Sequence, residues 1–550
     1  MDFKNKIIDL LKKETNLKQI TLEIPPSESF GDYSFPCFQL SKQLKKSPNQ
    51  IAENLSKKLK AQFIEKIETK GHYLNFFIKK ELITKEVLTK PKSLPKKNKT
   101  ILIESPGPNT NKPLHIGHLR NIALGISLSN IFKTLGNKTI NVDIINDRGI
   151  HICKSMLAYK LYGKNKEPNK KPDHFVGDFY VLYSKKQSKE SEKQIQEMLV
   201  KWENKDPETI KLWKKMNDWA IKGIYQTYKE FGLKIQKTYY ESQHFNKGKK
   251  IVLDAYKKGL FEKDKEGAII YNLEKEDLGK KILLRADGTS IYITQDIYLA
   301  KQRYEDYKFD KMIYIVATEQ IYHFKVLFKV LKKLGYKFAD NCYHLAYGMV
   351  NLPEGKMKSR EGKVVDADDL IKNTTELAKK QIKKREKNIS KQELEKRSKV
   401  IALGAIKFYL LKYDAKKDFT FNPEESISFE GETGPYIQYS YARASSILRK
   451  EKPPKNIDYS LLNHPIEISL IKQISQFPEV IQKAAKDLKP NLITNYTYNL
   501  AQKFNEYYHE CNILKSEKQL KNARLNLISS VRTVISSSLN LLGIETLERM

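Results

Sequence analysis

The stretch Ile101–Asn121, ILIESPGPNTNKPLHIGHLRN, decides the fold of this chain of 550 residues. Its first residues, Ile101–Ile103, are a short apolar run that predicts a buried parallel strand. The loop Ser105–Pro113 is rich in Pro, Gly and Asn, so it can neither extend the strand nor begin a helix early. A helical pattern of apolar residues follows from Leu119. Two histidines and a glycine therefore lie where a strand passes into a helix, which is where open α/β sheets bind ligands.

The histidines are His115 and His118, with Gly117 between them. Backbone N–H groups at the start of a helix favour phosphate. A lone HxGH can arise by chance, and two histidines at a helix start are more often ordinary polar residues than ligands. Here the pair follows an apolar strand, comes after Asn-Lys-Pro, and has a second lysine-bearing loop far downstream. This context favours a phosphate site.

Composition limits the class of protein. Hydrophobic residues make up 40% and charged residues 30%, which suits a soluble chain with more than one core. No apolar run approaches the roughly 20 residues of a membrane span, and the N-terminus has an amphipathic helix pattern rather than a signal peptide. The four cysteines are scattered without a CxxC pair, so no zinc ribbon or disulfide framework is predicted. We expect a cytoplasmic protein without membrane contact.

The net charge of +35 favours a polyanionic partner such as nucleic acid. The alternative is that most of the excess is lysine on solvated helix faces, in a chain biased toward Lys, Asn and Ile. Charge alone therefore indicates nucleic acid without establishing it.

The patterns along the chain predict three domains. Residues 1–90 have the pattern of an α+β domain, with helical patterns at Asp2–Lys13 and Pro48–Lys66 and a strand at Gly71–Ile78. Residues 91–370 alternate strands and helices, which predicts a Rossmann-like, doubly wound parallel sheet. Residues 371–550 are helical almost throughout and predict an all-α bundle.

Several further segments of the 91–370 domain carry strong patterns. Long Lys/Glu-rich amphipathic helices at about 159–231 indicate a helical insertion, whose three tryptophans we interpret as core residues, with stacking on RNA as the alternative. The expected strands after the first are Lys138–Ile145, Lys311–Ala317 and His344–Val350, and Ile291–Ile297 is expected to be a strand that runs into a helix, with Tyr292 on the strand and Asp296 after it.

The string SPGPNTNKPLHIGHLRN resembles the HIGH signature of class I aminoacyl-tRNA synthetases, in the form found in arginyl-tRNA synthetases. The loop 355–362, GKMKSREG, resembles the KMSKS loop of that class, with Ser359 in place of the second lysine. The segment Asn522–Leu525 resembles the DALR signature of the anticodon-binding bundle, with Asn where Asp is usual. Residues 1–90 resemble the family's N-terminal additional domain, which contacts the tRNA elbow. The resemblance covers the whole chain.

The resemblance implies an arginine–tRNA ligase, with ATP, L-arginine and tRNA-Arg as its substrates and partners. Mg²⁺ is expected to come with ATP, held mainly by phosphates and water rather than by a dedicated protein site. A monomer is expected, because most bacterial-type members of the family are monomers.

The expected nucleotide site combines the histidine pair with lysines. Histidines and lysines can neutralise the negative charge that develops on phosphate. We hypothesise that Lys112 replaces the lysine missing at Ser359. Asp147 follows a predicted strand and fits the nucleotide crevice. The candidate catalytic residues are His115, His118, Lys112 and Lys356, and the candidate ATP-binding residues are His115, Gly117, His118, Asp147, Gly348, Met349, Val350, Lys356 and Lys358.

The expected amino-acid site must hold a guanidinium, which carboxylates and neutral acceptors match best. The resemblance implies that Tyr292, Asp296 and Gln320 hold the arginine side chain. It places Glu104 and Asn109 near the amino-acid end. Tyr439 and Arg443 are the candidate tRNA contacts, because an aromatic face and a guanidinium can stack on splayed bases.

Two other functions compete with this interpretation. One is another class I synthetase, such as a cysteinyl or lysyl enzyme, against which the N-terminal domain and the absence of zinc-spaced cysteines argue. The other is a catalytically silent tRNA-binding paralogue, against which the intact His115, His118 and Lys356 argue.

Overall fold

The computed structural model describes residues 3–351 and 365–550, apart from residues 18, 24, 26–27, 90–93, 95 and 455–456. The loop 355–362, with Lys356, Lys358 and Ser359, lies outside the described residues. The chain forms two compact units. The first comprises Met1–Ser93, Ser446–Phe477 and Gln502–Val534, and the second comprises Leu94–Ser445, Pro478–Ala501 and Ile535–Met550.

The N-terminal part of the first unit is an α+β arrangement, as predicted. Its elements are α1 (Phe3–Thr15), β1 (Tyr33–Pro36), α2 (Phe38–Leu44), α3 (Pro48–Lys58), β2 (Ile64–Lys70), β3 (Tyr73–Ile78) and α4 (Lys80–Thr89). The strands form an antiparallel sheet in the order β1-β3-β2. Phe35 and Phe76 are fully buried in the core between this sheet and the helices.

The helix predicted over Pro48–Lys66 is too long. Helix α3 ends at Lys58, because the next residue, Leu59, takes extended backbone angles (φ −77°, ψ 121°). Strand β2 then begins at Ile64. This strand lies at the edge of the sheet and carries few apolar residues, so its sequence lacks the alternation that marks a half-buried strand.

The second unit is built on the predicted parallel sheet. Its elements up to residue 351 are β4 (Thr100–Glu104), α5 (Ile116–Thr134), β5 (Lys138–Ile145), α6 (Ile150–Tyr162), α7 (Pro172–Lys186), α8 (Lys189–Glu203), α9 (Pro207–Phe231), β6 (Lys237–Tyr240), α10 (Glu241–His244), α11 (Lys247–Lys257), β7 (Glu262–Lys263), β8 (Ile269–Leu273), β9 (Gly279–Leu284), α12 (Tyr292–Tyr307), β10 (Lys311–Ala317), α13 (Ile321–Lys333), β11 (Cys342–Tyr347) and β12 (Val350–Asn351). Within the described residues, five strands form a parallel sheet in the order β11-β10-β4-β5-β6.

The strand order places a topological switch point beside β4. The chain proceeds from β4 to β5 and β6 on one side, and β10 and β11 lie on the other side. Strands β4 and β10 pair in parallel, with Glu104, the last residue of β4, beside Tyr314, three residues before the end of β10. The loop after β4 and the turn after β10 therefore leave the sheet side by side, where ligands bind in such sheets.

The helical insertion is present as α6–α9; Trp202 is buried within it, and Trp213 and Trp219, which are partly buried, pack against its core. Trp202 is buried and its ring lies 5.5 Å from that of Trp213. Trp219 packs edge-to-face against Phe175, with 5.6 Å between ring centroids. The interpretation of these residues as core residues is confirmed.

The strand expected at the start of Ile291–Ile297 is wrong, because helix α12 already begins at Tyr292, whereas the helix expected after that strand is present. Ile293, Ile297 and Ala300 are buried at helical spacing. Tyr292, expected on a strand, and Asp296, expected just after it, therefore both lie on the first turns of this helix. The prediction also missed β6, which has only four residues.

The described residues from 365 onward are mainly helical, as predicted, and include one two-residue strand. Its elements are α14 (Ala367–Arg385), α15 (Lys391–Leu411), β13 (Phe419–Thr420), α16 (Pro423–Ser426), α17 (Gly434–Lys450), α18 (Pro465–Ser475), α19 (Phe477–Asp487), α20 (Asn491–Glu510) and α21 (Lys518–Leu541). Helices α18 and α19 are separate, because Pro478 in the first turn of α19 cannot continue the preceding helix. Among the described helices, none combines the length and apolar character needed to cross a membrane.

Arg524, in the segment that resembles the DALR signature, has a structural role within the first unit. Its Nε atom pairs with the buried carboxylate of Glu467 at 2.7 Å. A second nitrogen donates to Asn512 O and Ser516 Oγ, both at 2.8 Å. The arginine thus ties α18 to the turn before α21.

Candidate active site

Helix α5 begins at the histidine pair, and the two side chains cap the helix. His115 is the N-cap residue, with extended backbone angles (φ −129°, ψ 173°). Gly117 N–H donates to His115 Nδ1 at 3.2 Å, and His115 N–H donates to His118 Nδ1 at 3.1 Å. The ring centroids are 3.9 Å apart. Because Nδ1 is the acceptor in both rings, each neutral imidazole carries its proton on Nε2 and offers it as a donor.

Both imidazoles are neutral at physiological pH. Burial, assisted by the positive charge of Lys112, lowers the pKa of His115 to about 3. Burial lowers the pKa of His118 well below its ordinary value, and the charges of His115 and Lys112 add to this effect. Burial also lowers the pKa of the Lys112 amine. An amine and two N–H donors therefore lie together at a helix N-terminus, which suits an anion.

Gly117 allows the His115 ring to fold over the helix start. A Cβ atom at this position would lie 3.0 Å from both Cε1 and Nδ1 of His115, closer than ordinary van der Waals contact. A larger residue would push the ring away and weaken the cap. The glycine between the histidines is thus required by the packing of the first imidazole.

The segment Gly348–Val350, expected to contact adenine through its backbone, follows β11. Gly348 N–H donates to Ala415 O at 2.8 Å, and Met349 N–H donates to the Asp418 carboxylate at 2.7 Å. Val350 is buried and pairs with Phe419 in the β12–β13 ladder. Both backbone N–H groups of the first two residues are thus already engaged within the protein, so their role toward a nucleotide stays a prediction.

Residues 365–367, the first ones described after residue 351, lie beside the histidine pair. Ile116 N–H donates to Val365 O at 3.2 Å, and Ala367 N–H donates to Leu114 O at 3.0 Å. An antiparallel bridge joins His115 to Asp366 between these hydrogen bonds. The residues that follow the lysine-bearing segment are therefore anchored to the start of α5.

An acidic cluster lies on the other side of the switch point. Glu104, at the end of β4, forms a buried ion pair with Arg303 of α12. The carboxylate of Asp296, also on α12, accepts a hydrogen bond from His323 Nε2 at 2.7 Å. Burial raises the pKa of Glu104, Arg303 opposes that shift, and the negative charge of Asp296 adds to it. The two carboxylates are thus close enough to interact.

The sequence-based prediction missed Glu241, a third carboxylate of this region. It is the first residue of α10, directly after β6. Burial raises the pKa of Glu241 to about 7, with Arg148 opposing the shift and the negative charges of Asp147 and Asp296 increasing it. A carboxyl group held near other carboxylates favours a bound cation. Its position after a strand would have been the signal, but β6 itself was not predicted.

The other expected arginine-site residues lie at the same edge of the sheet. Tyr292 is 72% exposed on the first turn of α12. Gln320 ends the short 3₁₀ turn that follows β10. Asn109 bridges to Asn146 after β5. These positions are compatible with the expected roles and do not test them.

Asp147, expected to contact the nucleotide, is engaged by hydrogen bonds within the protein. Its side chain is buried, and its two carboxylate oxygens accept hydrogen bonds from Ser242 N–H at 2.8 Å and Ser242 Oγ at 2.6 Å. Its carbonyl oxygen accepts from Trp213 Nε1 at 2.6 Å. Asp147 therefore fastens the helical insertion to β5 and α10. The role of Asp147 toward a nucleotide stays a prediction.

Among the described residues, Asp173, His174 and Asp368 have a spacing that could hold a metal ion. The ammonium of Lys171 already lies 2.7 Å from the Asp173 carboxylate and 2.8 Å from that of Asp368. Lysine thus supplies the cation that these carboxylates need. This cluster is an ion-pair network that joins α7 to the start of α14.

Tyr439 and Arg443, the expected tRNA contacts, stack on each other along α17. The guanidinium carbon of Arg443 lies 5.0 Å from the centroid of the Tyr439 ring. Arg385 lies 4.0 Å from the ring of Phe429, which in turn packs against Tyr439. Arginines and aromatic rings therefore alternate here, and contact with RNA stays a prediction.

The low pKa of His115 predicts a pH-dependent loss of stability. In the unfolded chain the imidazole has a pKa near 6.5, so as the pH falls below that value the unfolded state takes up the proton first. The contribution of His115 to the free energy of unfolding is therefore constant above pH 6.5 and decreases as the pH falls toward about 3. At pH 5 we expect a loss of up to about 2 kcal/mol relative to pH 8.

We expect His115→Asn, which keeps a capping acceptor, to lose less stability between pH 8 and pH 5 than the unaltered chain. Urea unfolding followed by tryptophan fluorescence measures this difference. The matched control is His509→Asn at an exposed position, which should follow the unaltered chain. An equal loss in His115→Asn and the unaltered chain would contradict the prediction.

Comparison with known proteins assigns the family. Residues 78–423 match the model of the class I (R) tRNA synthetase catalytic domain, residues 437–550 the DALR anticodon binding domain, and residues 1–78 the arginyl tRNA synthetase N terminal domain. The arginine–tRNA ligase of Treponema denticola is 45% identical over 97% of this chain and 95% of its own length. That of Borrelia turicatae is 45% identical over 100% of this chain and 99% of its own.

The fold agrees with the sequence matches. The structure of Thermus thermophilus arginyl-tRNA synthetase superposes with a TM-score of 0.87, at 27% identity, and covers 100% of this chain and 99% of its own. Family models therefore account for nearly the whole chain, and full-length relatives share its domain order. The chain belongs to the arginyl-tRNA synthetase family of class I aminoacyl-tRNA synthetases.

Proposed function

We propose that this chain activates L-arginine with ATP and transfers it to the terminal adenosine of tRNA-Arg, releasing AMP and pyrophosphate. The observation that carries the proposal is that two groups of side chains of opposite electrostatic character lie at the same switch point of the sheet, each forming one half of a site. Two neutral imidazoles and Lys112 lie at the start of α5, and an acidic cluster lies at the ends of β4 and β6 and on α12. The first half-site suits phosphate and the second suits a guanidinium.

In the first step the arginine carboxylate attacks the α-phosphate of ATP and pyrophosphate leaves. The Nε2–H groups of His115 and His118 donate to phosphate oxygens. Lys112 and Lys356 supply positive charge, which neutralises the charge that develops on the phosphates. Neutral donors suit this work, because they need no proton uptake before they bind. Mg²⁺ would be held mainly by the phosphates and water and would assist the same neutralisation.

The arginine side chain would lie among the carboxylates. Asp296 and Glu241 offer negative charge, whereas the charge of Glu104 is already balanced by Arg303. A planar guanidinium can bind carboxylates through two parallel hydrogen bonds, which a lysine ammonium cannot do. Tyr292 and Gln320 would complete the site with a ring and a neutral acceptor, and Asn109 would lie near the amino-acid end.

In the second step a hydroxyl of the terminal adenosine attacks the adenylate, which in class I enzymes is the 2′-OH. We propose no side-chain base for this step. We further propose that residues 1–90, 91–370 and 371–550 act as the tRNA-binding, catalytic and anticodon-binding domains, and that the protein is a cytoplasmic monomer. Tyr439 and Arg443 are the proposed tRNA contacts of the last domain.

Arginine-dependent exchange between ATP and pyrophosphate tests the proposed function. We expect exchange with arginine when tRNA-Arg is present, and none with lysine or cysteine. Members of this family need bound tRNA for activation, so omission of tRNA should abolish the exchange. Exchange that depends on another amino acid would assign a different class I synthetase. Binding of tRNA without any exchange would assign a silent paralogue.

Asp296→Asn tests the arginine site. The substitution keeps the shape and removes the charge, so we expect the KM for arginine to rise roughly 10- to 100-fold with little change in the KM for ATP. Steady-state exchange at varied arginine and varied ATP measures both constants. The control is Asp287→Asn, in the exposed turn after β9. An unchanged KM for arginine would remove Asp296 from this role.

Lys112→Ala tests whether this lysine compensates for Ser359. We expect the maximal exchange rate to fall by on the order of 100-fold, because a cation at the phosphates acts mainly on the transition state. The exposed Lys325→Ala is the control. If Lys112→Ala leaves the maximal rate unchanged, another group supplies the missing charge.

A further inference from the structure

Arg120 and Asn121 follow the histidine pair after one intervening residue, Leu119, and have no role in the proposed chemistry. Arg120 is 0% exposed in the second turn of α5. Its guanidinium donates to three backbone carbonyl oxygens: that of Gly348, that of Asp414 at 3.1 Å and that of Lys417 at 2.9 Å. These acceptors belong to two segments that are far apart in sequence. Arg120 thus joins three parts of the second unit.

The guanidinium is held by carbonyl dipoles and an aromatic ring. Burial lowers the pKa of Arg120 to about 10, while Tyr347, Asp418 and Asp414 oppose the shift, so the group stays charged at physiological pH. The ring of Phe419 lies 4.6 Å from its central carbon. Burying a charge is unfavourable unless it is well hydrogen-bonded. Such a residue is expected where the geometry that it fixes matters.

The geometry fixed by Arg120 is that of Gly348–Val350. Gly348 packs so closely on the 414–418 loop that an added Cβ would lie 2.7 Å from Lys416 O and also clash with the Asp418 carboxylate. The same carboxylate accepts from Met349 N–H. The position of the segment expected to contact adenine is therefore set by the 414–418 loop. Arg120 binds both the segment and the loop.

Asn121 likewise holds the neighbouring strand, β10, through a backbone carbonyl group. Its Nδ2 atom donates to Ile315 O of β10 at 2.6 Å. Consecutive residues of α5 therefore hold β10 and the turn after β11, immediately behind the histidines. The helix start that carries the phosphate donors also holds the strand ends that flank the nucleotide crevice.

We propose that Arg120 is a positioning residue for the nucleotide, acting through the carbonyl oxygens of Gly348, Asp414 and Lys417. The inference rests on the proposed function, since it assumes that Gly348–Val350 line the ATP site. Arg303 is its counterpart on the amino-acid side, where it positions Glu104 through their buried ion pair. Each substrate thus has one fully buried arginine behind its site.

Arginine-to-lysine substitutions separate the two positions. Lysine keeps the charge, but its compact ammonium lacks the planar fork of five N–H donors and cannot span carbonyl groups of separate segments. For Arg120→Lys we expect the KM for ATP to rise roughly 10-fold or more, with the KM for arginine within about twofold. For Arg303→Lys we expect the opposite pattern.

The experiment measures exchange with saturating tRNA-Arg for the unaltered chain and both variants, at a temperature well below each unfolding midpoint. A merely structural role of Arg120 would lower the midpoint without separating the two KM values. Equal changes in both KM values, or a change only for arginine, would overturn the inference. For Arg120→Gln we also expect a raised KM for ATP, because glutamine lacks both the positive charge and the planar set of N–H donors of arginine.

Two further measurements keep the inference testable. If Arg120→Lys does not fold, Phe419→Leu keeps the three hydrogen bonds and removes only the ring, and we expect a smaller rise in the same KM, roughly two- to fivefold. Calorimetric titration with ATP alone distinguishes a failure of the inference from a failure of the proposed function. If the unaltered chain catalyses no exchange, the proposed function is contradicted. If in that case Arg120→Lys still weakens the binding of ATP, the inference about Arg120 is supported. ATP binding unaffected by Arg120→Lys overturns the inference.

Discussion

The site depends on one constraint, the need to cap α5 with groups that stay uncharged. The first backbone N–H groups of a helix lack partners within the helix. Here the imidazoles of His115 and His118 supply acceptors through Nδ1 and thereby fix their own tautomers. Burial and Lys112 keep both rings neutral. The same hydrogen bonds that end the loop and begin the helix therefore produce two Nε2–H donors.

Helix α5 also connects the capping histidine pair to other strands of the sheet. Its next residues, Arg120 and Asn121, bind backbone carbonyl groups near the ends of β11 and β10. The segment that resumes at Val365 pairs with the residues around His115. A displacement of the helix start would thus move both edges of the crevice. The fold and the site share one set of contacts, so neither can vary independently of the other.

The sequence predicted the parallel sheet well, because its strands Lys138–Ile145 and Lys311–Ala317 are apolar runs with clear ends. It predicted the start of α12 wrongly, since Ile291–Ile297 alternates like a strand while its buried residues have helical spacing. The histidine pair and Asp296 could be proposed from motif and spacing. The roles of Arg120 and Asp147 could not, because they depend on backbone carbonyls and a serine that only the folded chain brings near.

The charge of the chain and the charge of the site have opposite signs on the amino-acid side. A net charge of +35 would repel free arginine, so local carboxylates must outweigh it at short range. Screening limits the exposed lysines to about 8–10 Å, whereas Asp296 and Glu241 act within a partly buried region where screening is weaker. Long-range positive charge can therefore attract tRNA while the acidic cluster still selects a cation. Because Glu104 is already balanced by Arg303, the negative charge of this cluster comes from the other carboxylates and is smaller than the three carboxylates together would give.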